Sequence, residues 1–290
     1  MAERRRKKKT GAVIAIVSVV LVVLLLLLSF YFAIAGLALG ATVVFLALST
    51  AAFVDSFETE FSTNPVHGGV MVTGAYNLTE DVLIPEEIDG KKVLAIGECA
   101  FYDNDYIKTV TLPDTLKSIE TEAFANCTSL SEIIIPDSCE YIGDYAFYNC
   151  TDLTKVRIGN GTRYIGESAF AECTRLESVI IGDGLEEIGA QAFAYCTSLN
   201  YVDLGNGIQK IGMSAFISCT SLVTIEIPYS VTEISNGAFW LCEGLTNAKF
   251  KKTSGWTING VNVDPVDLMV ERTAAEYLAI TDSGATWLNQ

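Results

Sequence analysis

Between residues 83 and 250 the apolar positions return every 23 residues. Within one period, taken from Leu130 to Cys150, a leucine is followed by alternating residues, Glu132, Ile133, Ile134 and Ile135. A proline comes next, then Ile142, the pair Ala146-Phe147 and a cysteine. The alternation predicts a short strand whose buried members are Ile133 and Ile135. Pro113, Pro136 and Pro228, or Gly159, Gly182 and Gly205 in their place, end that strand by removing a donor or permitting a turn. The Ala-Phe pair occurs at 100-101, 123-124, 146-147, 169-170, 192-193, 215-216 and 238-239. It predicts a tight corner in which alanine leaves room and phenylalanine fills the interior.

A period of this length, held over seven copies, predicts a solenoid. One 23-residue unit cannot bury its apolar side alone, whereas coils stacked about 4.8 Å apart bring like positions into one continuous core. Six copies place a cysteine three positions after the phenylalanine, from Cys127 to Cys242, and the first has Asn104 there. Stacked side chains run parallel rather than towards each other, so these thiols are expected to be buried and reduced, not bridged. Cys139 stands where other units have Leu116, Leu185 and Val231, and is read the same way.

Ahead of the repeats the pattern changes. No charged residue stands between Lys9 and Asp55, and Ala12 to Ala35 is almost wholly Val, Ile, Leu, Ala and Phe. That is longer than the core of a cleaved signal peptide and predicts a transmembrane helix acting as an uncleaved anchor. Six basic residues, Arg4 to Lys9, directly precede it and favour a cytoplasmic N-terminus with the repeats outside. A hairpin of two spans is the alternative, and would turn the repeats into a cytoplasmic-facing membrane-bound scaffold. The organisation expected is a basic tail over 1–10, a membrane anchor over 11–54, a linker over 55–76, a solenoid over 77–250 and a capping segment over 251–290. Residues 272 to 280 read as a short helix within that cap.

Charge narrows the partners. The 290-residue chain has a formal net charge of −16. Six of its 19 basic residues and one of its 35 acidic ones precede residue 51, so the remainder carries 13 against 34, a net of −21. Such a surface repels phosphate backbones and argues against nucleic acid. No catalytic constellation is present: G-x-S-x-G, H-E-x-x-H and the P-loop lysine are all missing. The single histidine, His67 in "NPVHGGV", reads as a solvated loop residue. Gly159-Asn-Gly161, Gly182-Asp-Gly184 and Gly205-Asn-Gly207 recur at the repeat interval and read as turns rather than a phosphate loop. No enzyme, cofactor or metal is therefore expected. The sequons at Asn77, Asn126, Asn149 and Asn160 are read as turn residues.

The stretch "LSEIIIPDSCEYIGDYAFYNC", residues 130 to 150, resembles the unit of BspA-type leucine-rich repeat proteins, and the resemblance runs from about Asn77 to Phe250. Residues 83 to 101 look like that family's opening unit, with an extra hairpin around Asp89-Gly90, and 250 to 263 look like its closing segment. The resemblance implies a leucine-rich repeat solenoid, β-rich, with short parallel strands in 23-residue coils. It also implies a surface-exposed adhesion or binding role towards protein or peptide ligands, including host or matrix proteins.

If binding is the function, the outward strand positions carry it. One column reads Thr109, Glu132, Lys155, Ser178, Tyr201, Thr224, Asn247 and the other Thr111, Ile134, Arg157, Ile180, Asp203, Glu226, Lys249. The residues expected to contact a partner on this concave face are Glu132, Ile134, Lys155, Arg157, Ile180, Tyr201, Asp203 and Glu226.

Overall fold

The computed structural model describes residues 59–280 and 286–289. The predicted tail and membrane anchor lie outside the described residues. Among the described residues no helix is long and apolar enough to cross a membrane. The chain divides into Met1–Glu60 and Phe61–Gln290, and the fold set out below is that of the second unit.

Each full coil supplies two strands, a longer one such as Glu132–Ile135 and a two-residue one such as Tyr141–Ile142. Like strands stack parallel, one full repeat apart: Lys155 lies opposite Glu132 and Ser178, and Tyr164 opposite Tyr141 and Glu187. Among the described residues the longer strands from Asp81–Leu83 to Tyr201–Asp203 form a six-stranded sheet, and Thr224–Ile227 pairs with Asn247–Phe250 in a separate two-stranded one. The short strands join a thirteen-stranded sheet on the other side of the core.

Proline explains where the longer ladder weakens. Gly159 and Gly182 donate their N–H groups to the carbonyls of Ile135 and Ile158, at 3.0 and 2.9 Å. Pro136 and Pro228 have no N–H to offer at the same step. Pairing into Glu132–Ile135 is reduced to Thr109 opposite Glu132, and Thr224–Ile227 does not pair with the strand before it. Gly205, whose counterparts donate to the preceding coil, adopts φ +65° and donates to the Asp203 carboxylate at 3.1 Å, yet its strand stays paired with Ser178–Ile181.

Inside, matching side chains lie over one another. The rings from Phe101 to Phe239 form one column with centroids 4.9 to 5.3 Å apart and planes within 7° of parallel. The corner that holds each ring is strained. Glu122 and Asn126 flank Ala123-Phe124 with φ of 54° and 61°, and equivalent residues do so in the following coils. A left-handed non-glycine residue costs about 1–2 kcal/mol. Hydrogen bonds to the next coil offset this: the N–H groups of Glu122, Phe124 and Asn126 donate to the carbonyls of Asp144, Ala146 and Tyr148 at 2.7 to 2.9 Å.

The cysteine column has a polar task as well as a packing one. Each of its six thiols, Cys127, Cys150, Cys173, Cys196, Cys219 and Cys242, donates to a phenylalanine carbonyl 26 residues earlier, at 3.0 to 3.3 Å. Alanine would fit the space but leave that carbonyl with one donor fewer. All eight cysteines are unbridged, and all but Cys99 are buried. Burial pushes the thiols of Cys127 and Cys139 up to about 12, and those of Cys150, Cys196 and Cys219 well above their ordinary value.

Two outcomes follow from these thiols. In the native protein a thiol reagent is expected to modify Cys99 alone, with the other seven reacting only at the rate of unfolding; fast reaction of all eight would contradict the buried column. Unfolded thiols ionise near about 8.5. Because the folded values are raised, the thiols' contribution to stability is complete below that pH and is lost as pH climbs towards 12. Denaturant midpoints measured across pH 8 to 11 are expected to fall, and a flat profile would count against the burial.

Both ends of the stack are closed. The stretch expected as a linker carries strands Glu60–Val66 and Gly69–Tyr76, and the second pairs in parallel with Lys91–Ile96, burying Val70 and Val72. Asp89 and Gly90, both at positive φ, make the expected hairpin, in which Glu87–Ile88 returns against Lys91 and Lys92. At the other end Trp256 and Trp287 pack around Phe250. Helix α1, Pro265–Met269, is capped by Asp264, whose side chain accepts from the Val266 N–H at 2.9 Å. Helix α2, Glu271–Ile280, buries Ala274, Ala275 and Leu278. The final strand, Trp287–Asn289, runs antiparallel to Glu233–Ile234 and Trp256–Ile258, so the parallel series stops there.

Candidate functional site

The core positions repeat; the outward positions of the longer strands do not. Along Lys155–Ile158 the side chains of Val156 and Ile158 are buried while Lys155 and Arg157 are exposed, and the same alternation holds in Glu132–Ile135 and Thr224–Ile227. Strand pleat therefore presents two parallel columns to solvent.

The eight residues expected to form the site are all exposed on this face, but they are not all together. Seven belong to the six-stranded sheet, whereas Glu226 lies beyond the break, on the two-stranded one. Its carboxylate is already engaged by Lys251 at 2.8 Å and Lys249 at 3.3 Å. The hydrogen bond from Lys251 is the main cause that holds this carboxyl below its usual range. Glu132 and Lys155 lie 3.6 Å apart across neighbouring coils. Exposed pairs like these are worth at most about 1 kcal/mol, so a partner could break them cheaply.

Arg157 is different. Register places it between Ile134 on one side and Ile180 on the other, both apolar. No hydrogen bond or ion pair to its guanidinium is found among the described residues. Ile134 is 63% exposed, Ile180 45% and Tyr201 52%, so each has most or much of its surface available to a partner.

Leu83, which the 23-residue count leaves out, is 67% exposed and continues the column of Ile134 through Thr111. The strand Asp81–Leu83 is offset from Thr109–Thr111 by 28 residues rather than 23, since the hairpin at Glu87–Lys92 is inserted between them. The alternation of Asp81, Val82 and Leu83 was the available signal, provided the longer interval was allowed for.

The short-strand side offers less. A hollow of about 290 Å3 is lined by Tyr164, Glu187, Lys210 and Glu233 among others. Lys210 fills its charge requirement internally, 3.1 Å from Glu187 and 3.9 Å from Glu233. His67 is exposed in the turn between the first two strands.

Residues 86–200 and 163–259 match the family described as "BspA type Leucine rich repeat region", in six copies. No curated protein matches the chain. Among solved structures, a leucine-rich repeat protein of Eubacterium ventriosum is 23% identical, with 63% of this chain and 50% of that one covered and a TM-score of 0.53. The leucine rich repeat protein of T. pallidum is 27% identical over 58% of this chain and 88% of its own, with a TM-score of 0.47. A leucine rich cell surface protein of Faecalibacterium prausnitzii is 26% identical over 59% and 60%, with a TM-score of 0.35. The first of these likenesses supports the solenoid fold.

Proposed function

The chain belongs to the BspA-type leucine-rich repeat family, and from that premise we propose that it works by binding a protein or peptide across the outward columns of its longer strands. In this reading it is an adhesin or surface receptor module, held outside the cell by the apolar segment over residues 11–54. The observation that carries the binding role is the contrast between the two sides of the same strands. Buried positions are confined to Val, Ile, Leu, Ala and Phe, whereas the exposed ones pass through acid, base, aliphatic and aromatic side chains within a few coils. Packing requires the uniformity; nothing in the stack requires the variety.

The full chain is to be tested against immobilised extracellular-matrix proteins, alongside a variant carrying Arg157→Gln and Tyr201→Ala. Both side chains are exposed, so the variant is expected to melt like the parent while losing at least ten-fold in affinity for whichever matrix protein the parent binds. Equal binding by parent and variant would move the site off this face. Protease added to intact cells tests the placement: digestion of the repeats supports the external anchor, and complete protection supports the two-span alternative.

A further inference from the structure

Exposed aliphatic side chains in the second column fall at every other coil. Leu83, Ile134 and Ile180 occupy the first, third and fifth strands of the six-stranded sheet, with Thr111 and Arg157 between them. Adjacent strands are about 4.8 Å apart, so the aliphatic contacts repeat at about 9.6 Å along the stack. A partner segment lying along that axis must place an apolar side chain at the same interval.

Backbone geometry separates the candidates. An extended strand returns a side chain to the same face every two residues, at about 6.8 Å, and drifts out of step by the second contact. An α-helix returns a side chain to the same face after seven residues, at about 10.5 Å, and so overshoots by about 0.9 Å at each contact. A polyproline II helix has three residues per turn and rises 3.1 Å per residue, so its repeat is about 9.3 Å. That conformation also leaves its backbone carbonyls without internal hydrogen bonds, in need of outside donors.

Resting on the strand-face reading above, we infer that this column takes a proline-rich segment of a protein partner in the polyproline II conformation, with an apolar residue at every third position. Leu83, Ile134 and Ile180 receive those residues, and Arg157 donates to the carbonyls that pass between the two isoleucines. The guanidinium has five donors and no partner of its own among the described residues, so it need not be released from another contact first. Tyr201, on the coil after Ile180, offers an exposed ring against which a proline can pack. Asp203 follows Ile180 in the same column and adds a carboxylate at one end of the track. The ligand is therefore neutral or basic, with a cationic residue near the Ile180 end. This agrees with the net charge of −21 over residues 51–290, which repels an acidic segment.

The test uses two labelled peptides of identical composition, rich in proline with an arginine at each end, in which leucine stands at every third or at every second position. Fluorescence anisotropy with the full chain is expected to show at least ten-fold tighter binding of the first. Ile134→Lys and Ile180→Lys are each expected to weaken it ten-fold or more, and Arg157→Gln several-fold, without change in melting temperature. Equal binding of the two peptides overturns the inferred conformation; if Ile134→Lys still weakens both, the strand-face reading survives. Indifference to Ile134→Lys as well removes both. Failure of both peptides to bind overturns the inference alone, provided a matrix protein still binds the parent and is lost from the Arg157→Gln, Tyr201→Ala variant.

Discussion

Replacing Phe170 by alanine is expected to cost about 3–5 kcal/mol of stability, which is the range for deleting a buried aromatic side chain. The ring is wholly buried and lies between two others, 5.0 Å from Phe147 and 5.3 Å from Phe193. A cavity at that point deprives both neighbours of contact on one side, and backbone hydrogen bonds to both adjacent coils hinder collapse into it. The Phe170 N–H donates to Ala192, and its carbonyl accepts from the Cys196 thiol at 3.2 Å. Stability in a stack is close to a sum of coil and nearest-neighbour terms. Phe170→Ala therefore weakens two interfaces at once and should lower cooperativity as well as the midpoint. Guanidinium denaturation of the full chain gives the measurement, with Tyr229→Ala as an exposed control expected within about 0.5 kcal/mol of the parent. A loss at Phe170 no larger than at Tyr229 would contradict the ring column.

The column was legible because in-register stacking demands the same side chain at the same step. Seven Ala-Phe pairs at one interval leave little else for them to do. Three features were hidden for specific reasons. The strands Glu60–Val66 and Gly69–Tyr76 resemble a linker in sequence, since Pro65 and the Gly68-Gly69 pair read as loop while their pairing partner lies more than 20 residues away. Leu83 fell out of the column because the inserted hairpin breaks the count. The separation of Glu226 from the other site residues left no mark on the spacing. It coincides with a proline at 228, which has no N–H to return to the preceding coil, and the effect of that loss depends on how adjacent coils meet. Periodicity reports the positions that every coil shares, and the outward face is built from those that no two coils share. That Arg157 has no partner among the described residues follows from its neighbours in space, Ile134 and Ile180, each one full repeat away along the chain.

Gly184→Ala is expected to be nearly as damaging as the loss of a core ring, although the residue lies in a turn. A β-carbon there would come 1.8 Å from the carbonyl oxygen of Asn160 in the preceding coil. Gly161 and Gly207 meet the Asp137 and Asp183 carbonyls at 2.0 and 1.9 Å in the same way. The obstacle is backbone, which is itself fixed: Asn160 takes its N–H to the Asp137 carboxylate at 2.7 Å, and its side chain accepts from the Asp183 N–H at 3.1 Å. A methyl group can enter only by separating two coils that the rest of the stack holds about 4.8 Å apart. In the coils that have proline, Thr115, Ser138 and Ser230 occupy the equivalent step, each two residues after Pro113, Pro136 or Pro228. A side chain is thus admitted with one turn and excluded with the other. A loss of about 3 kcal/mol or more is expected for Gly184→Ala, in the range that marks strain or overpacking. Gly90→Ala is the control, because its β-carbon would meet nothing within 4 Å and only its φ of +71° penalises it. That penalty is about 1–2 kcal/mol. If thermal or chemical denaturation ranks Gly90→Ala as the costlier of the two, the close approach of successive turns is not what requires glycine at 184.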